Sequence, residues 1–503
     1  MNALFVYPKI PDTFWGFKYA LEYVSKKAES PPLGLLTVAA MVPATWNKRL
    51  VDLNVRPLSG DDLLWADYAF ISAMYIQKAS AENVIRLCRD SGVKVVAGGP
   101  YFTTSGDDFS SIDHVVLGEA EKIFPHLLSD LERGKAKHVY SSPEKPDLAF
   151  TPLPDWDLID FNDYDSMLLQ FSRGCPFDCE FCDIVQLNGR RQRTKGAFRF
   201  LQEMDALYRR RWHGPVFIVD DNFIGARGRV KEMLPELAKW MDRHGRPFYF
   251  FTEASVDLAD DEELMRLMVE AGFNRVFIGI ETPDAESLQE AGKTQNTGRD
   301  LLQSVRIIQH HGLEVMGGFI VGFDHDSEDI FDRQIDFIQS SGITVAMVTL
   351  LEALTGTKLW KRLKDEGRLL VEFSGNNTDG MLNFVPRMDR DTLIRGYWRV
   401  LETIYSPAAY YRRCIVFLKA SRQRAISRID AEGIRALFRS VWRIGVRNEA
   451  GFRRYYWKFL VHTLIRKPSF FGEAVRTMIM GIHFRRALLM YNHTVGDPHS
   501  RMC

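Results

Sequence analysis

Three cysteines that lie close together are the residues of this chain best suited to chemistry. Cys175, Cys179 and Cys182 stand at a C-x3-C-x2-C spacing. Gly174 and Pro176 lie beside the first of them, and Gly and Pro favour turns over regular elements. A loop can curl its thiolates around one metal centre, so the spacing predicts an iron–sulfur cubane held by cysteine. With three protein ligands, one iron of the cubane is left free to bind a small molecule.

A zinc site and a disulfide are the alternatives for these thiols. Structural zinc almost always takes four protein ligands, and no further Cys or His lies within about twenty residues of the motif. A disulfide would leave one of the three thiols unpaired and is uncommon in a reducing cytosol. The other cysteines, Cys88, Cys414 and Cys503, are scattered along the chain, so no disulfide framework is implied.

The chain before the motif alternates between predicted strands and helices. Its strands are apolar throughout their length, which is typical of a parallel, doubly wound α/β sheet. Such sheets bind ligands at the carboxyl ends of their strands. The predicted strands cover residues 3–7, 49–53, 68–72, 93–97 and 112–117, and the predicted helices cover residues 31–41 and 81–91.

Small residues cluster at the expected carboxyl ends of these strands. Glycine there lets a ligand approach the backbone closely, although a turn is the ordinary reason for a glycine after a strand. Taken together, they indicate a ligand-binding edge. The candidate residues are Leu33 and Gly34 in a Pro-Pro-Leu-Gly segment, Ser72, Gly98, Gly99, Pro100, Gly118 and Glu119.

Residues 143–163 are rich in Pro, Asp and Ser and are predicted to be a linker. Residues 164–365 then repeat strand and helix in about six units, which predicts an incomplete relative of the eight-unit barrel, with its site at the carboxyl ends of the strands. We expect Asp260 to cap one of these helices and Gly272 to end it. The predicted strands cover residues 166–172, 214–222, 248–255, 275–281, 314–321 and 344–350, and the predicted helices include 227–244, 300–311 and 329–340.

Polar side chains end several of the predicted barrel strands. Carboxylates gathered at one mouth are costly unless they bind something. The alternative is that each is a solvated loop residue, but their repeated placement favours a site. The candidates are Asp220, Asp221, Asn222, Glu253, Ser255 and Glu281.

The last part of the chain, residues 366–503, is basic and mainly helical. From Arg387 onward Lys and Arg number 23 and Asp and Glu number 8, although the whole chain has 65 of each class. One interpretation is a charged helical cap with a solvated face, and the other is a surface for a lipid-like or anionic substrate or for a membrane. No recognition motif supports nucleic acid as a partner. The predicted helices cover residues 394–404, 432–444, 452–465 and 471–489.

The bulk composition is that of an ordinary globular protein. The 503 residues are enough for about two to four domains, and 46% of them are hydrophobic. The first residues lack the features of a secretion signal, and the best apolar run, residues 33–42, is too short to cross a bilayer. We therefore expect a cytoplasmic protein, free or associated with the cytoplasmic side of a membrane.

The cysteine motif, with Phe181 directly before its last cysteine, resembles that of the radical S-adenosylmethionine (SAM) superfamily. The order of the predicted parts resembles the class B methyltransferase-like group in which a cobalamin-binding domain precedes the radical SAM domain. That group contains hopanoid methylases and bacteriochlorophyllide methylating enzymes. The resemblance implies a Rossmann-like cobalamin-binding domain over residues 1–142, a partial (β/α)6 radical SAM barrel over 164–365 and a helical C-terminal domain over 366–503.

The resemblance also implies roles for the candidate residues. Cys175, Cys179 and Cys182 would hold a 4Fe-4S cluster, and the strand-end residues of the first sheet would bind cobalamin. The residues expected near SAM are Phe181, Asp220, Asp221, Asn222, Glu253, Ser255, Glu281 and Gly322.

Two features depart from related patterns. The segment from Asp220 to Asn222 stands where the family often has Gly-Gly-Glu. The segment Asp113-His114-Val-Val-Leu-Gly118 differs from the D-x-H-x-x-G motif that supplies a histidine to cobalt in other cobalamin proteins. We therefore interpret His114 as an ordinary strand residue and expect cobalt to lack a histidine ligand from the protein.

The predicted function is that of a cobalamin-dependent radical SAM C-methyltransferase. The resemblance implies that one electron, from a donor such as flavodoxin or ferredoxin, cleaves SAM to a 5′-deoxyadenosyl radical. That radical takes hydrogen from an unactivated carbon of a small-molecule or lipid-like substrate, which then receives methyl from cobalamin. The alternatives are a radical SAM cyclase, oxidase or rearrangement enzyme without methyl transfer, and a non-catalytic cobalamin or iron–sulfur binding module.

Overall fold

The computed structural model describes residues 1–370, 375, 376, 378–421 and 431–495. Cys503 lies outside the described residues. The fold is α/β with a helical C-terminal part, as predicted.

The first sheet has six parallel strands in the order β2-β1-β3-β4-β5-β6. The predicted five strands are present, and the sixth, β6, was missed because it is three residues long with one buried residue. The strands are β1 (Asn2–Tyr7), β2 (Asn47–Asp52), β3 (Tyr68–Ser72), β4 (Lys94–Gly98), β5 (His114–Leu117) and β6 (Val139–Ser141).

Helices cover both faces of this sheet, which explains why its strands are apolar throughout. Helix α4, for example, turns Ala81, Val84, Ile85 and Cys88 toward the core at helical spacing. The helices are α1 (Lys18–Val24), α2 (Leu33–Ala39), α3 (Gly60–Trp65), α4 (Lys78–Asp90), α5 (Pro100–Thr104) and α6 (Ala120–Glu132).

The second sheet is the wall of an open barrel. Its six strands are all parallel, in the order β14-β13-β12-β11-β10-β7, and a short antiparallel ribbon of β8 and β9 flanks the cysteine loop. The predicted strand over residues 166–172 is therefore two strands. The strands are β7 (Met167–Leu169), β8 (Ser172–Arg173), β9 (Arg193–Thr194), β10 (Gly214–Ile218), β11 (Phe248–Ala254), β12 (Phe273–Glu281), β13 (Glu314–Val321) and β14 (Ala346–Leu350).

Helices pack on the outer face of this wall. Asp261, rather than the predicted Asp260, caps helix α10 by accepting from the backbone N–H of Leu264, because Asp260 pairs with Arg299 at 2.8 Å. Gly272 ends α10 with φ +107° as predicted. The helices are α7 (Ile184–Asn188), α8 (Ala197–Arg209), α9 (Arg227–Arg243), α10 (Glu262–Ala271), α11 (Ala285–Glu290), α12 (Leu301–His310), α13 (Ile330–Ser341) and α14 (Lys358–Asp365).

The C-terminal part is a layer of helices packed on the barrel. The sequence missed α16, although Ser406 caps it and Pro407 occupies its first position, a recognisable start signal. No helix in the described ranges has both the length and the apolar composition needed to span a bilayer. The helices are α15 (Arg390–Ile404), α16 (Pro407–Ala420), α17 (Ala431–Ser440), which continues into one π-helical segment (Val441–Val446), α18 (Arg453–Arg466) and α19 (Phe471–Val495).

Candidate active site

The cysteine loop is fixed by its own backbone. Cys175 donates its N–H to the carbonyl of Gly189 at 3.2 Å, and Cys182 donates to the carbonyl of Cys179 at 3.2 Å. Gly174 has φ +98°, and a Cβ there would lie 2.9 Å from the carbonyl oxygens of Gly189 and Arg191. Only glycine fits at this turn, so the residue before the first cysteine is dictated by the loop.

The three thiols fit a cluster. None of them is in a disulfide, which removes that alternative. Among the described residues no three His, Cys, Asp or Glu side chains converge as a single metal ion would require. In a cubane each cysteine binds a different iron, so separated thiols are compatible with a cluster. Burial raises the pKa of Cys175 and Cys182, so metal binding must displace their protons.

Asp220 and Asp221 support the cysteine loop through hydrogen bonds, and their expected contact with SAM stays a prediction. Asp220 accepts from the N–H of Phe171 at 2.7 Å and from the hydroxyl of Ser172 at 2.6 Å. Asp221 accepts from the N–H of Gly174 at 2.7 Å and from the Asn188 side chain at 2.9 Å. Burial raises the pKa of Asp220 to about 7. Both carboxylates therefore position the strand that leads into the cysteines.

Asn222 connects the loop to the next strand. Its side-chain nitrogen donates to the hydroxyl of Ser255 at 3.2 Å and lies 4.0 Å from the sulfur of Cys175. Its side-chain oxygen accepts the N–H of Ser255 at 3.3 Å. The structure thus brings both predicted residues together beside the first cysteine.

Sequence reasoning missed a polar segment after α11. The ammonium of Lys293 is paired with Glu281, and Gln295 donates to the sulfur of Cys179 at 3.8 Å. The Oε1 atom of Gln295 and the Oδ1 atom of Asn296 are buried and lack a partner in the described part of the chain. Orphaned buried acceptors next to a ligand loop are expected where a bound group completes the site. The only sequence signal was a Lys-Thr-Gln-Asn run just after a helix end.

Lys293 carries positive charge into this buried place. Burial alone would lower the pKa of Lys293. The neighbouring Glu281, Cys179 and Cys182 outweigh this effect and raise the pKa of Lys293 to about 12. Its nitrogen also lies 5.9 Å from the centre of the Phe181 ring. A fixed cation beside the cysteines suits a site that holds thiolates and an anionic ligand group.

Glu253 and Glu281 differ in how they end their strands. Glu281, at the end of β12, has φ +64°, an uncommon conformation for a residue with a side chain, and it holds Lys293. Glu253 makes no hydrogen bond or ion pair with the described residues. Burial, and then the Asp221 and Asp220 carboxylates, raise the pKa of Glu253 to about 7. Glu253 is therefore the carboxyl group left available for a ligand.

Phe181, in the cysteine loop, lies close to the end of β13, where Gly322 follows. The ring of Phe181 meets the ring of Phe323 edge-on, 6.2 Å between centres. Gly322 has φ +106° and donates its N–H to Asp326 at 2.7 Å. Gly322 is buried and its N–H is already used by Asp326, so its expected contact with SAM stays a prediction.

Helix α14, which follows β14, contacts the cysteine loop. Leu359 donates its N–H to the carbonyl of Glu180 at 2.8 Å, and Arg362 pairs with the Glu180 carboxylate at 2.8 Å. Lys358 pairs with Asp178 at 2.6 Å. The cysteine loop is thus held from above as well as from below.

The inside of the barrel wall is hollow. Side chains on the outer face of the strands, such as Ile218, Ile278 and Val321, have no exposed surface. Their neighbours on the inner face remain partly accessible, whereas a filled interior would be close-packed. The strand register places these inner residues on one face. They are Leu168, Phe217, Phe251, Phe277, Met316, Ile320 and Met347, with Glu253 at the carboxyl end and with Tyr249 and Arg275 toward the amino end of the strands.

The carboxyl edge of the first sheet offers bare backbone. Gly99 has φ +96°, and a Cβ there would lie 2.7 Å from the hydroxyl of Ser72. Gly98 approaches the carbonyl of Val116 in the same way, at 3.2 Å, and Pro100 begins α5. By contrast, a Cβ on Gly34 or Gly118 would meet nothing within 4 Å.

These features fit a large flat group. Tightly packed glycines let the strand ends come together, and open glycines leave room above them. Leu33 and Gly34 form the first turn of α2, and Gly118 follows β5, so the predicted residues are on the same edge. His114 is at the opposite, amino end of β5, where its ring contacts the carbonyl of Lys137 at 2.7 Å.

Glu119 links the first sheet to the chain around the cysteine loop. Its carboxylate, expected to contact cobalamin, pairs with Arg173 at 2.7 Å and with Arg193 at 2.8 Å. Arg173 also pairs with Glu121 at 2.7 Å. Since Arg173 directly precedes Gly174 and the first cysteine, this network fastens the ligand-binding edge of the first sheet to the cysteine loop.

Comparison with known protein families divides the chain into three matched regions. Residues 24–128 match the B12 binding domain, and residues 169–338 match the Radical SAM superfamily. Residues 357–493 match a domain of unknown function (DUF4070). The first two matches overlie the two sheets and the edges described above.

Two relatives extend over nearly the whole chain. An uncharacterized methyltransferase of Synechocystis is 40% identical over 99% of this chain and 94% of its own length. The hopanoid C-2 methylase of Rhodopseudomonas palustris is 33% identical over 99% of this chain and 95% of its own length. Among solved structures, the cobalamin-dependent SAM radical enzyme OxsB matches in fold, with a TM-score of 0.64 and 14% identity over 98% of this chain and 80% of OxsB.

Proposed function

Because this chain belongs to the family of cobalamin-dependent radical SAM methylases, we propose that it methylates an unactivated carbon of an apolar, lipid-like substrate. Family membership confirms the predicted 4Fe-4S cluster, SAM and cobalamin. The observation that carries the substrate class is the hollow apolar lumen. Its partly accessible wall of Phe, Met, Ile and Leu suits an apolar polycyclic compound better than a polar metabolite. The likeness to hopanoid C-2 methylase supports the same class.

We propose a role for each part of the site. Cys175, Cys179 and Cys182 would hold the cluster, with Asp220 and Asp221 fixing the loop. When bound, the cluster and SAM supply a carbon-centred radical, and cobalamin supplies the methyl group. The chain's own work is to hold the reacting carbon in the lumen and to exclude water.

Further side chains would position the ligands. Lys293, paired with Glu281, would balance the negative charge of the thiolates. Asn222 and Ser255 would orient SAM beside Cys175. Glu253 would hold or accept a proton at its carboxylate, because its pKa of about 7 lets both forms exist near neutral pH. The bare edge at Gly99 and Gly118 would carry cobalamin.

We also propose the division of the chain given by its sequence. Residues 1–142 would form the cobalamin-binding domain, 143–163 the linker, 164–365 the radical SAM barrel and 366–503 the C-terminal domain. The position of strands β1 to β6 and of β7 to β14 supports these limits. We further propose a cytoplasmic enzyme that takes electrons from a flavodoxin or ferredoxin and contacts a membrane through its basic helices.

Methyl-labelled SAM tests the reaction. Anaerobic, reduced and reconstituted enzyme is incubated with a polycyclic lipid such as a hopanoid, and both the lipid and 5′-deoxyadenosine are measured. We expect label in the lipid together with deoxyadenosine. Deoxyadenosine with an unlabelled but altered lipid would instead establish a cyclase, oxidase or rearrangement enzyme. C179A, which removes one cluster ligand, serves as the control and should form neither product.

A further inference from the structure

Helix α17 and its π-helical continuation expose a line of large apolar side chains. Ile434, Phe438, Trp442 and Val446 follow one another every fourth residue, so they share one side of the helix. All four are exposed, and Phe438 keeps 69% of its surface accessible. Burying this line against the protein would have been favourable, so its exposure calls for a partner.

Helix α18 exposes a second line that meets the first. Trp457, Val461, Leu464 and Ile465 are exposed, and Ile465 keeps 72% of its surface accessible. The indole N–H of Trp457 donates to the carbonyl of Gly445 at 3.0 Å. Gly445 lies beside Val446 and one turn from Trp442, so the two lines join at this contact. We call these eight side chains the apolar ridge.

Cations without acidic partners surround the apolar ridge. The guanidinium of Arg447 lies 5.3 Å from the centre of the Trp442 ring. Arg453, Arg454, Lys458 and Arg466 are exposed on α18 and make no ion pair within the described part of the chain, and α18 itself contains no Asp or Glu. Inward-facing arginines of the same region are paired instead.

Arginines of the same region that face the protein are paired with carboxylates. Arg443 and Arg486 both contact Glu22 and Glu449, which joins the C-terminal helices to α1. Acidic partners are thus supplied where the helices face the protein and are lacking where the ridge faces solvent. By contrast, Leu64 on α3 and Phe198 on α8 are each the single large exposed apolar residue of their own helix.

We propose that the apolar ridge and its cations dock on the surface of an anionic lipid bilayer, with the ridge in the headgroup region. A helix pair with aromatic and aliphatic residues on one side and Lys and Arg around them is suited to lie in that interface. Facing copies of the ridge would bring their cations together, which disfavours a second copy as the partner. The proposal rests on the proposed function, since a lipid-like substrate would be drawn from the same membrane.

Vesicle flotation of the full chain tests the ridge. The probes are phosphatidylcholine vesicles and vesicles in which about a third of the lipid is phosphatidylglycerol. We expect binding to the anionic vesicles and much less to the neutral ones. Charge reversal in R454E/K458E should weaken binding about thirtyfold or more, and added salt should weaken the wild type similarly.

Matched variants distinguish binding through the apolar ridge from nonspecific hydrophobic adsorption. F438E/I465E should also lose vesicle binding, whereas L64E, at a residue 84% exposed on α3, should bind like the wild type. Equal loss in L64E, or no anionic binding by the wild type, would overturn the proposal. So would light scattering showing a dimer that F438E/I465E dissolves without any change in vesicle binding.

The outcome is independent of the methyl-transfer assay. With substrate dispersed in detergent, F438E/I465E should methylate as fast as the wild type, because the ridge is outside the barrel. Vesicle binding without any labelled product would contradict the proposed function but support the membrane-docking role of the apolar ridge. Labelled product from an enzyme that does not bind vesicles would support the proposed function and contradict the docking role.

Discussion

At the scale of single residues, the site separates carboxylates that build the structure from those left for ligands. Asp220, Asp221 and Glu119 each use their oxygens on the chain's own donors. Glu281 forms an ion pair with Lys293. The two side chains meet over Gly279, where a Cβ would collide with both of them. Glu253 alone among these candidates has no partner in the described residues. The ionisation of Glu253 should therefore lower the free energy of unfolding.

Replacing Glu253 by Gln should change how stability depends on pH. Because the pKa of Glu253 is raised to about 7 in the folded chain, from about 4.3 in unfolded chains, folding takes up a proton between these values. The stability that this group contributes is fully present below about pH 4 and is lost as pH rises through 7. Between about pH 5 and pH 8, the free energy of unfolding of E253Q should therefore rise by about 2 kcal/mol relative to that of the native chain. The melting temperatures of the two chains, measured across this range, should diverge accordingly.

The control for this prediction is E328Q, at an exposed glutamate before α13. Its melting temperature should follow that of the native chain across the same range. If the melting temperature of E253Q also follows that of the native chain across this pH range, Glu253 does not titrate near neutral pH in the folded protein.

At the scale of elements, the carboxyl edge of the first sheet depends on glycines of two kinds. Gly98 and Gly99 let strand ends approach, while Gly34 and Gly118 leave space above them. The close approach at Gly99 is to Ser72 and Ala73, at the end of the neighbouring strand β3. A side chain there would part the strands that form the floor of the proposed cobalamin site.

G99A should therefore lose cobalamin. The new Cβ would sit 2.7 Å from the Ser72 hydroxyl at a φ of +96°, which costs about 1–3 kcal/mol and moves β4 from β3. We expect less bound cobalamin by absorbance and a lower melting temperature. G60A is the control, since a Cβ at the start of α3 meets nothing within 4 Å. Full cobalamin content in G99A would place the cofactor elsewhere.

At the scale of the whole molecule, the parts are fastened to one another. Phe14 and Tyr23, which follow the first strand, belong to the same hydrophobic core as the barrel and the C-terminal helices. Tyr23 donates its hydroxyl to Glu449 at 2.8 Å, and the ring of His483 contacts the carbonyl of Phe14 at 2.7 Å. On the other side, Arg173 joins the two ligand-binding edges. These contacts would hold the distance between the two proposed cofactor sites from both sides.

R173K should uncouple the two halves of the reaction. Lysine keeps the charge but cannot bind Glu119 and Glu121 with two nitrogens at once, so the first sheet should shift relative to the cysteine loop. We expect labelled product per deoxyadenosine to fall about tenfold, because small misplacements of reacting groups are costly. R190K, at an exposed arginine between α7 and β9, should keep the native ratio, and an unchanged ratio in R173K would refute the coupling.

The sequence by itself determined the elements and the kind of chemistry. Apolar periodicity is a property of neighbouring residues, so it predicted most strands within two or three residues of their observed ends. The spacing of Cys175, Cys179 and Cys182 is equally local. The short strand β6 was missed because three residues carry a weak local signal. The start of α16 at Ser406 and Pro407 was overlooked, although the local sequence marks it.

Only the tertiary structure decided what the polar residues do. A carboxylate at a strand end can face a ligand or a backbone N–H, and the choice depends on partners far away in sequence: Phe171 for Asp220, Arg173 for Glu119, Lys293 for Glu281. The same holds for the hollow lumen, since partial exposure arises only when strands close around a space. Periodicity predicts which side of a strand is apolar, but whether that side is filled depends on the packing of the whole barrel.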